Sequence, residues 1–209
     1  MTAVSYPLYK NERIYHKKYG LVAGVDEAGR GPLAGPVVVA AVILDINKPI
    51  AGIDDSKKLT EKKRELLYDI IVSEALSYSL IEVSHQRIDK INILQAVLEG
   101  MRIAVETLDV KPQICLFDGN KTPHDYKFKA QAVIKGDAKI ASIAAASILA
   151  KVHRDRIMKQ YDILYPQYGF AKHKGYPTKL HFETIKTYGP CPIHRLSYAP
   201  LQQINSIGS

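Results

Sequence analysis

The sequence predicts an α/β fold, a mixed β-sheet flanked by helices, with a small helical appendage at its C-terminal end. Short β-branched and aliphatic runs alternate with longer stretches whose apolar residues recur at helical spacing, the pattern of strands and helices interleaved around one core. The first two apolar runs, residues 21–26 and 37–44, flank a connection rich in Gly and Pro. A tight connection of that kind pairs its strands antiparallel, so at least one antiparallel pair enters the sheet.

Taken in order, residues 1–20 are polar and tyrosine-rich and form an N-terminal extension, residues 21–165 the main domain, and residues 166–209 a C-terminal helical segment with a tail. Leu21-Val22-Ala23 opens the first strand, and Val37 begins the second. Thr60 offers an N-cap oxygen to a helix that starts at Glu61 and runs towards Ser73. Residues 77–83 alternate like a strand. Asn92 caps the next helix, whose stripe of Ile93, Val97, Met101, Ala104, Val105 and Leu108 ends at Lys111-Pro112. Residues 113–117 form a short buried strand ending at Asp118-Gly119, and residues 129–134 another ending at Gly136-Asp137. Residues 138–164 read as one long helix, alanine-rich at first and charged later, until Pro166 stops it. Thr178 caps a last helix to Tyr188, with Gly189-Pro190 as its stop.

With 209 residues, 46% of them hydrophobic, the chain can build one sizeable core but not two. Its 29 Lys and Arg against 21 acidic residues leave a net charge of +8, which suits a polyanionic partner. Lys172, His173, Lys174, Lys179 and His181 cluster with no acid between them, and Lys127, Lys129, Lys135 and Lys139 surround Asp137. The two cysteines are too few for a disulfide framework, and Cys115 lies inside an apolar run, so a reducing, cytoplasmic setting is expected. Cys191 and His194 have a metal-like spacing but no second pair, which argues against zinc. No stretch is long enough to span a bilayer. A monomer without membrane association is expected.

The densest motif is Gly24-Val25-Asp26-Glu27-Ala28-Gly29-Arg30-Gly31-Pro32, followed by Gly35-Pro36. Asp54-Asp55-Ser56-Lys57-Lys58-Leu59, Phe117-Asp118-Gly119-Asn120, Lys135-Gly136-Asp137, Ala145-Ala146-Ser147-Ile148-Leu149-Ala150-Lys151 and His173-Lys174-Gly175-Tyr176-Pro177-Thr178 follow in order. In sequence and order these segments, from about residue 21 to about residue 200, resemble the ribonuclease HII family. The resemblance implies a ribonuclease H-like sheet and a metal-dependent endoribonuclease. It implies hydrolysis of the RNA strand of RNA/DNA hybrids and nicking on the 5′ side of ribonucleotides embedded in duplex DNA. The products would carry 3′-hydroxyl and 5′-phosphate ends, and the reaction would remove misincorporated ribonucleotides in replication and repair.

The residues can support that chemistry. Asp26, Glu27, Asp118 and Asp137 all stand near predicted strand ends, each with a glycine close by. Packed together, several carboxylates repel one another unless cations hold them, and oxygen ligands without His or Cys favour Mg2+ or Mn2+. Singly, each acid could instead cap a helix or make a surface ion pair, Asp137 most readily because Lys135 and Lys139 flank it. The resemblance assigns metal ligation to all four, with two cations during catalysis. Neighbours on a regular strand face opposite ways, so Asp26 and Glu27 could share a site only if the strand breaks or twists, or if Glu27 ligates through its carbonyl.

Backbone groups of Gly29-Arg30-Gly31, unshielded by Cβ atoms at the glycines, could touch a ribose 2′-hydroxyl. Tyr176 could stack on the sugar or base beside it, and the resemblance singles it out as the reader of the ribose–deoxyribose junction. Ser56, Lys57, Asn120, Lys174, Ser147 and Lys151 are candidate phosphate or sugar contacts, Ser147 and Lys151 facing the same way one helical turn apart. Ribonuclease HIII, the sister family, has the same chemistry but typically a long N-terminal nucleic-acid-binding domain, for which the residues before Leu21 leave no room. A basic nucleic-acid-binding protein without catalysis would leave the strand-end carboxylates unexplained.

Overall fold

The computed structural model describes residues 6–124, 127–199 and 201–202; most of the expected tail lies outside them. Five strands form one mixed sheet in the order β3-β2-β1-β4-β5. They are β1 (Val22–Ala28), β2 (Val37–Ile43), β3 (Ser77–Val83), β4 (Ile114–Asp118) and β5 (Lys129–Val133). As the tight Gly/Pro connection requires, β1 and β2 pair antiparallel, and β3 extends the meander on β2. β4 and β5 instead join parallel to β1, each arriving through a longer connection.

The helices cover both faces. α3 (His85–Glu106) packs on one, where Val25, Val39, Val97, Met101 and Phe117 share a core. α4 (Ala141–Leu164) lies across the other, with α2 (Glu61–Glu74) beside it. The alanines that open α4 let it approach β1 so closely that a Cβ on Gly24 would stand 2.2 Å from the backbone of Ser142 and Ile143. Only glycine fits there. α5 (Phe170–His173) and α6 (Lys179–Tyr188) make the appendage, whose own small core includes Leu33, Met158, Tyr168, Phe170 and Ile193.

Four expectations change. The polar N-terminal extension contains a helix, α1 (Pro7–Tyr19), which buries Leu8, Tyr9 and Glu12. Glu12 Oε2 accepts from the Ser142 backbone N–H at 3.1 Å and its hydroxyl at 3.0 Å. The long helix therefore begins at Ala141 rather than residue 138: a single 3₁₀ turn (Gly136–Ala138) precedes it, and a carboxylate from a distant helix supplies its N-terminal cap. α3 begins earlier than expected, capped by Ser84. Asn92 does accept from Gln95 N–H at 3.1 Å, but at φ +66° inside α3, where it restarts the helix after a kink. Finally, His173 and His181 are buried, their rings stacked 4.4 Å apart, so the basic cluster presents its lysines but not its histidines to solvent.

Candidate active site

The sheet register brings the acids together. Val25 of β1 pairs with Phe117 of the parallel strand β4, so Asp26 and Asp118 follow side by side. Because side chains alternate, both point to the face that carries α4, along with Val22, Ile114 and Leu116 of the same core. β5 runs parallel beyond β4 and leads into the 3₁₀ turn with Asp137. The Gly136 N–H at that turn donates to Asp118 Oδ1 at 2.6 Å, tying the two segments.

One carboxylate oxygen from each of Asp26, Asp118 and Asp137 lies within 4.8 Å of the others. Burial, and then the charges of Glu27 and Asp118, push the Asp26 carboxyl well above its ordinary value. Burial likewise raises Asp118, with the Asp137 charge adding to it. Lys57 Nζ donates to Asp137 Oδ2 at 2.9 Å and is the ammonium that partly offsets this negative charge. Ser147 donates to Asp26, and its hydroxyl lies 2.9 Å from that of Ser56.

Glu27 does not join this triad. β1 stays regular through Ala28, so the Glu27 side chain leaves on the opposite face and meets Arg30 at 3.3 Å. Burial raises its carboxyl despite Arg30, and Oε2 is buried with no hydrogen-bond partner. Of the arrangements that the sequence left open for this pair, a break in the strand is not the one adopted, since β1 continues to Ala28. Three clustered oxygen donors, without His or Cys, and an unsatisfied carboxylate oxygen beside them fit hard divalent cations.

A cleft of about 290 Å³ holds Asp26, Glu27, Asp118, Gly29, Arg30, Gly31, Ser56, Lys57, Ser147, Lys151 and Tyr176 together, so Glu27 borders the same space although its carboxylate stands apart from the three aspartates. A Cβ on Gly31 would lie 3.7 Å from the Tyr176 ring, and that ring is 41% exposed, available for stacking. Lys151 points in while paired to Asp155 at 2.7 Å. Asn120 lines an adjoining hollow of about 350 Å³ between Glu27 and the apolar side of α3. Lys174 is not brought to the cleft: its ammonium donates to the Ala171 carbonyl within the appendage.

Three arginines of this region escaped sequence reading. Arg64 lines the cleft and holds the Ser56 and Leu59 carbonyls at 2.9 and 2.6 Å; in the charged start of α2 nothing marks it out. Arg154 and Arg195 are buried behind the Gly29-Arg30-Gly31 loop. Arg154 had a visible signal, since it stands four residues from both Ala150 and Met158 on the buried stripe of α4. Arg195 had none. Cys191 and His194 do touch, at 3.1 Å. Among the described residues, however, the three carboxylates are the only group of His, Cys or acidic side chains disposed to hold a metal.

The family model for ribonuclease HII matches residues 23–201. The ribonuclease HII of Francisella tularensis subsp. novicida is 57% identical over 182 residues, 87% of this chain and 98% of that protein. The crystal structure of ribonuclease H2 from Pyrococcus horikoshii superposes with a TM-score of 0.76 at 30% identity, covering 90% of this chain and 98% of that one. The ribonuclease HII of Archaeoglobus fulgidus, solved as a complex with PCNA, gives 0.68 at 26% identity over 85% and 95%. A Bst-RNase HIII structure in complex with Mn2+ shares the fold, with a TM-score of 0.65 at 17% identity over 90% and 70%.

Proposed function

The chain belongs to the ribonuclease HII family, and from that premise we propose that this divalent-metal-dependent ribonuclease H both cuts the RNA strand of RNA/DNA hybrids and nicks DNA on the 5′ side of single embedded ribonucleotides. The observation that carries the reading is the cleft in which Asp26 and Asp118 stand beside the Gly29-Arg30-Gly31 loop and Tyr176. It joins a place for cations to a place for one sugar.

Asp26, Asp118 and Asp137 are the side chains that would hold the metal, Mg2+ or Mn2+, with Glu27 adding its carbonyl or its unpartnered Oε2. When bound, two such cations supply the charge that aligns an attacking water and stabilises the departing oxygen. The protein's own part is positioning. Ser147 orients Asp26, the Gly136 N–H orients Asp118, and the Lys57 ammonium pairs with Asp137 where a cation would otherwise lie. Lys151, Ser56 and Arg64 line the path for the phosphate backbone. Backbone groups of residues 29–31 would meet the 2′-hydroxyl, with Tyr176 against the neighbouring sugar. Such an enzyme would remove misincorporated ribonucleotides from DNA.

A duplex with one embedded ribonucleotide, incubated with Mg2+, Mn2+ or chelator and analysed at its product ends, tests the reading. A 5′-side nick bearing 3′-hydroxyl and 5′-phosphate is expected only with metal. A cyclic phosphate would mean attack by the 2′-hydroxyl itself and would overturn the hydrolytic mechanism.

A further inference from the structure

Two guanidinium groups lie wholly inside the protein. Arg195 is 0% and Arg154 1% exposed, and neither has a carboxylate at ion-pairing distance among the described residues. Burying such a charge is costly unless every donor is engaged. Here the partners are backbone carbonyls of the loop that faces the cleft. Arg195 donates to Gly29 O at 2.7 Å, Arg30 O at 3.1 Å, Gly35 O at 2.9 Å and Pro36 O at 3.0 Å. Arg154 donates to Pro36 O, Ala34 O and Lys174 O, each at 3.0 Å. Pro36 O thus joins the two cations, and Lys174 O links them to the strap that carries Tyr176. The Tyr198 hydroxyl accepts from Arg195 at 2.9 Å and donates to Arg30 O at 2.7 Å.

We propose that Arg195, with Tyr198 as its relay, is a positioning residue for ribose recognition, and that Arg154 couples its loop to the Tyr176 strap so that both halves of the sugar pocket move as one body. This rests on the reading of the cleft given above. The carbonyl of Gly29 shares a peptide unit with the N–H of Arg30, and that of Arg30 with the N–H of Gly31. A cationic donor on each oxygen fixes the peptide plane and polarises the N–H at its other end. Two fixed, strengthened donors therefore accompany the loop into the cleft, suited to a sugar hydroxyl and without a counterpart on deoxyribose. Gly29 is part of the same device, since at φ +102° a Cβ there would stand 2.1 Å from Arg154 Nε.

Tyr198→Phe and Arg195→Lys should be compared with wild type by kcat/KM on two duplexes, one with a single ribonucleotide and one with a continuous RNA strand, and by thermal unfolding. Tyr198→Phe removes both hydrogen bonds of the relay, the one from Arg195 and the one to Arg30 O, and should lower the ratio of single-ribonucleotide to continuous-hybrid cleavage about fivefold at unchanged melting temperature. Arg195→Lys keeps the charge but cannot fork between four carbonyls, so the ratio should fall further. A continuous hybrid, with many 2′-hydroxyls to offer, depends less on one well-held pocket. Equal losses on both substrates, or a Tyr198→Phe ratio equal to wild type, would overturn the positioning role and leave the arginines as structural ties. A wild type that cuts the continuous hybrid but not the single ribonucleotide would instead overturn the reading of the cleft.

Discussion

Lys57 contacts the buried Asp137 at 2.9 Å while 77% of its own side chain lies in solvent, so it can withdraw when a stronger cation arrives. Its hydrogen bond to Asp137 raises the ammonium above its ordinary value, which keeps it charged and in competition for the acid. Lys57→Met should therefore tighten Mn2+ binding measured by calorimetry while weakening hybrid binding; looser metal binding would show that Lys57 organises the acids rather than competing with a cation. Asp26→Asn and Asp118→Asn should each abolish turnover yet leave hybrid affinity largely intact, because affinity comes mainly from phosphate contacts. Asp137, already held by a lysine, should be the mildest of the three. Parallel loss of binding and cleavage in the Asp26 variant, seen in a gel-shift titration, would indicate misfolding instead. These acids were legible in the sequence because each follows an apolar run beside a glycine. The separation of Glu27 from the triad was not, since it depends on β1 remaining regular past Asp26.

At the scale of elements, α1 buttresses the site from behind. Besides the Glu12 cap on α4, Asn11 donates to Lys139 O at 3.0 Å, Gln131 Nε2 to the Tyr15 hydroxyl at 2.9 Å, and Ile50 N–H to the Tyr9 hydroxyl at 2.9 Å. The helix was not legible because its sequence is polar, has no local side-chain cap and buries only one narrow strip; Pro7 at its first turn and the basic His16-Lys17-Lys18 run before Gly20 at its end were the available signals. Burial raises the Glu12 carboxyl from 4.5 to about 7, even though Ser142 donates to it. The folded state thus holds that proton more tightly than the unfolded chain. The resulting stability is fully present below pH 4.5 and is lost as pH rises through about 7. Glu12→Gln keeps an acceptor for Ser142 without the charge. It should match wild type near pH 4.5 and exceed it by up to ~3 kcal/mol at pH 8, a difference readable in melting temperatures across that range. A gap that does not change with pH would mean that Glu12 titrates alike in the folded and unfolded states.

For the whole molecule, strand existence was written in local pattern, whereas strand order was not, because the insertion of β4 beside β1 is a pairing between residues about ninety apart and leaves no periodic trace. The appendage behaves alike: Thr178 marks the start of α6 in the sequence, but nothing there tells that Leu33 N–H bonds to Gly175 O and Arg195 N–H to Leu33 O, seating the appendage against the loop between β1 and β2. The net charge of +8 supplies a long-range attraction for a nucleic acid. Its local use depends on which ammonium groups are free to reach phosphate, and composition cannot reveal that. Lys172 is exposed on α5, while the ammonium of Lys174, two residues on, donates to the Ala171 carbonyl. Hybrid affinity should fall as salt rises, with a log–log slope set by the number of phosphates neutralised. Lys172→Ala should then shallow that slope by roughly 0.9, the release of one phosphate's counterion, while Lys174→Ala should leave it unchanged. Fluorescence anisotropy titrations at four or more salt concentrations would separate the two variants. Equal shallowing by both would mean that Lys174 leaves its carbonyl to bind substrate, and the appendage would then offer two contacts where its folded geometry provides one.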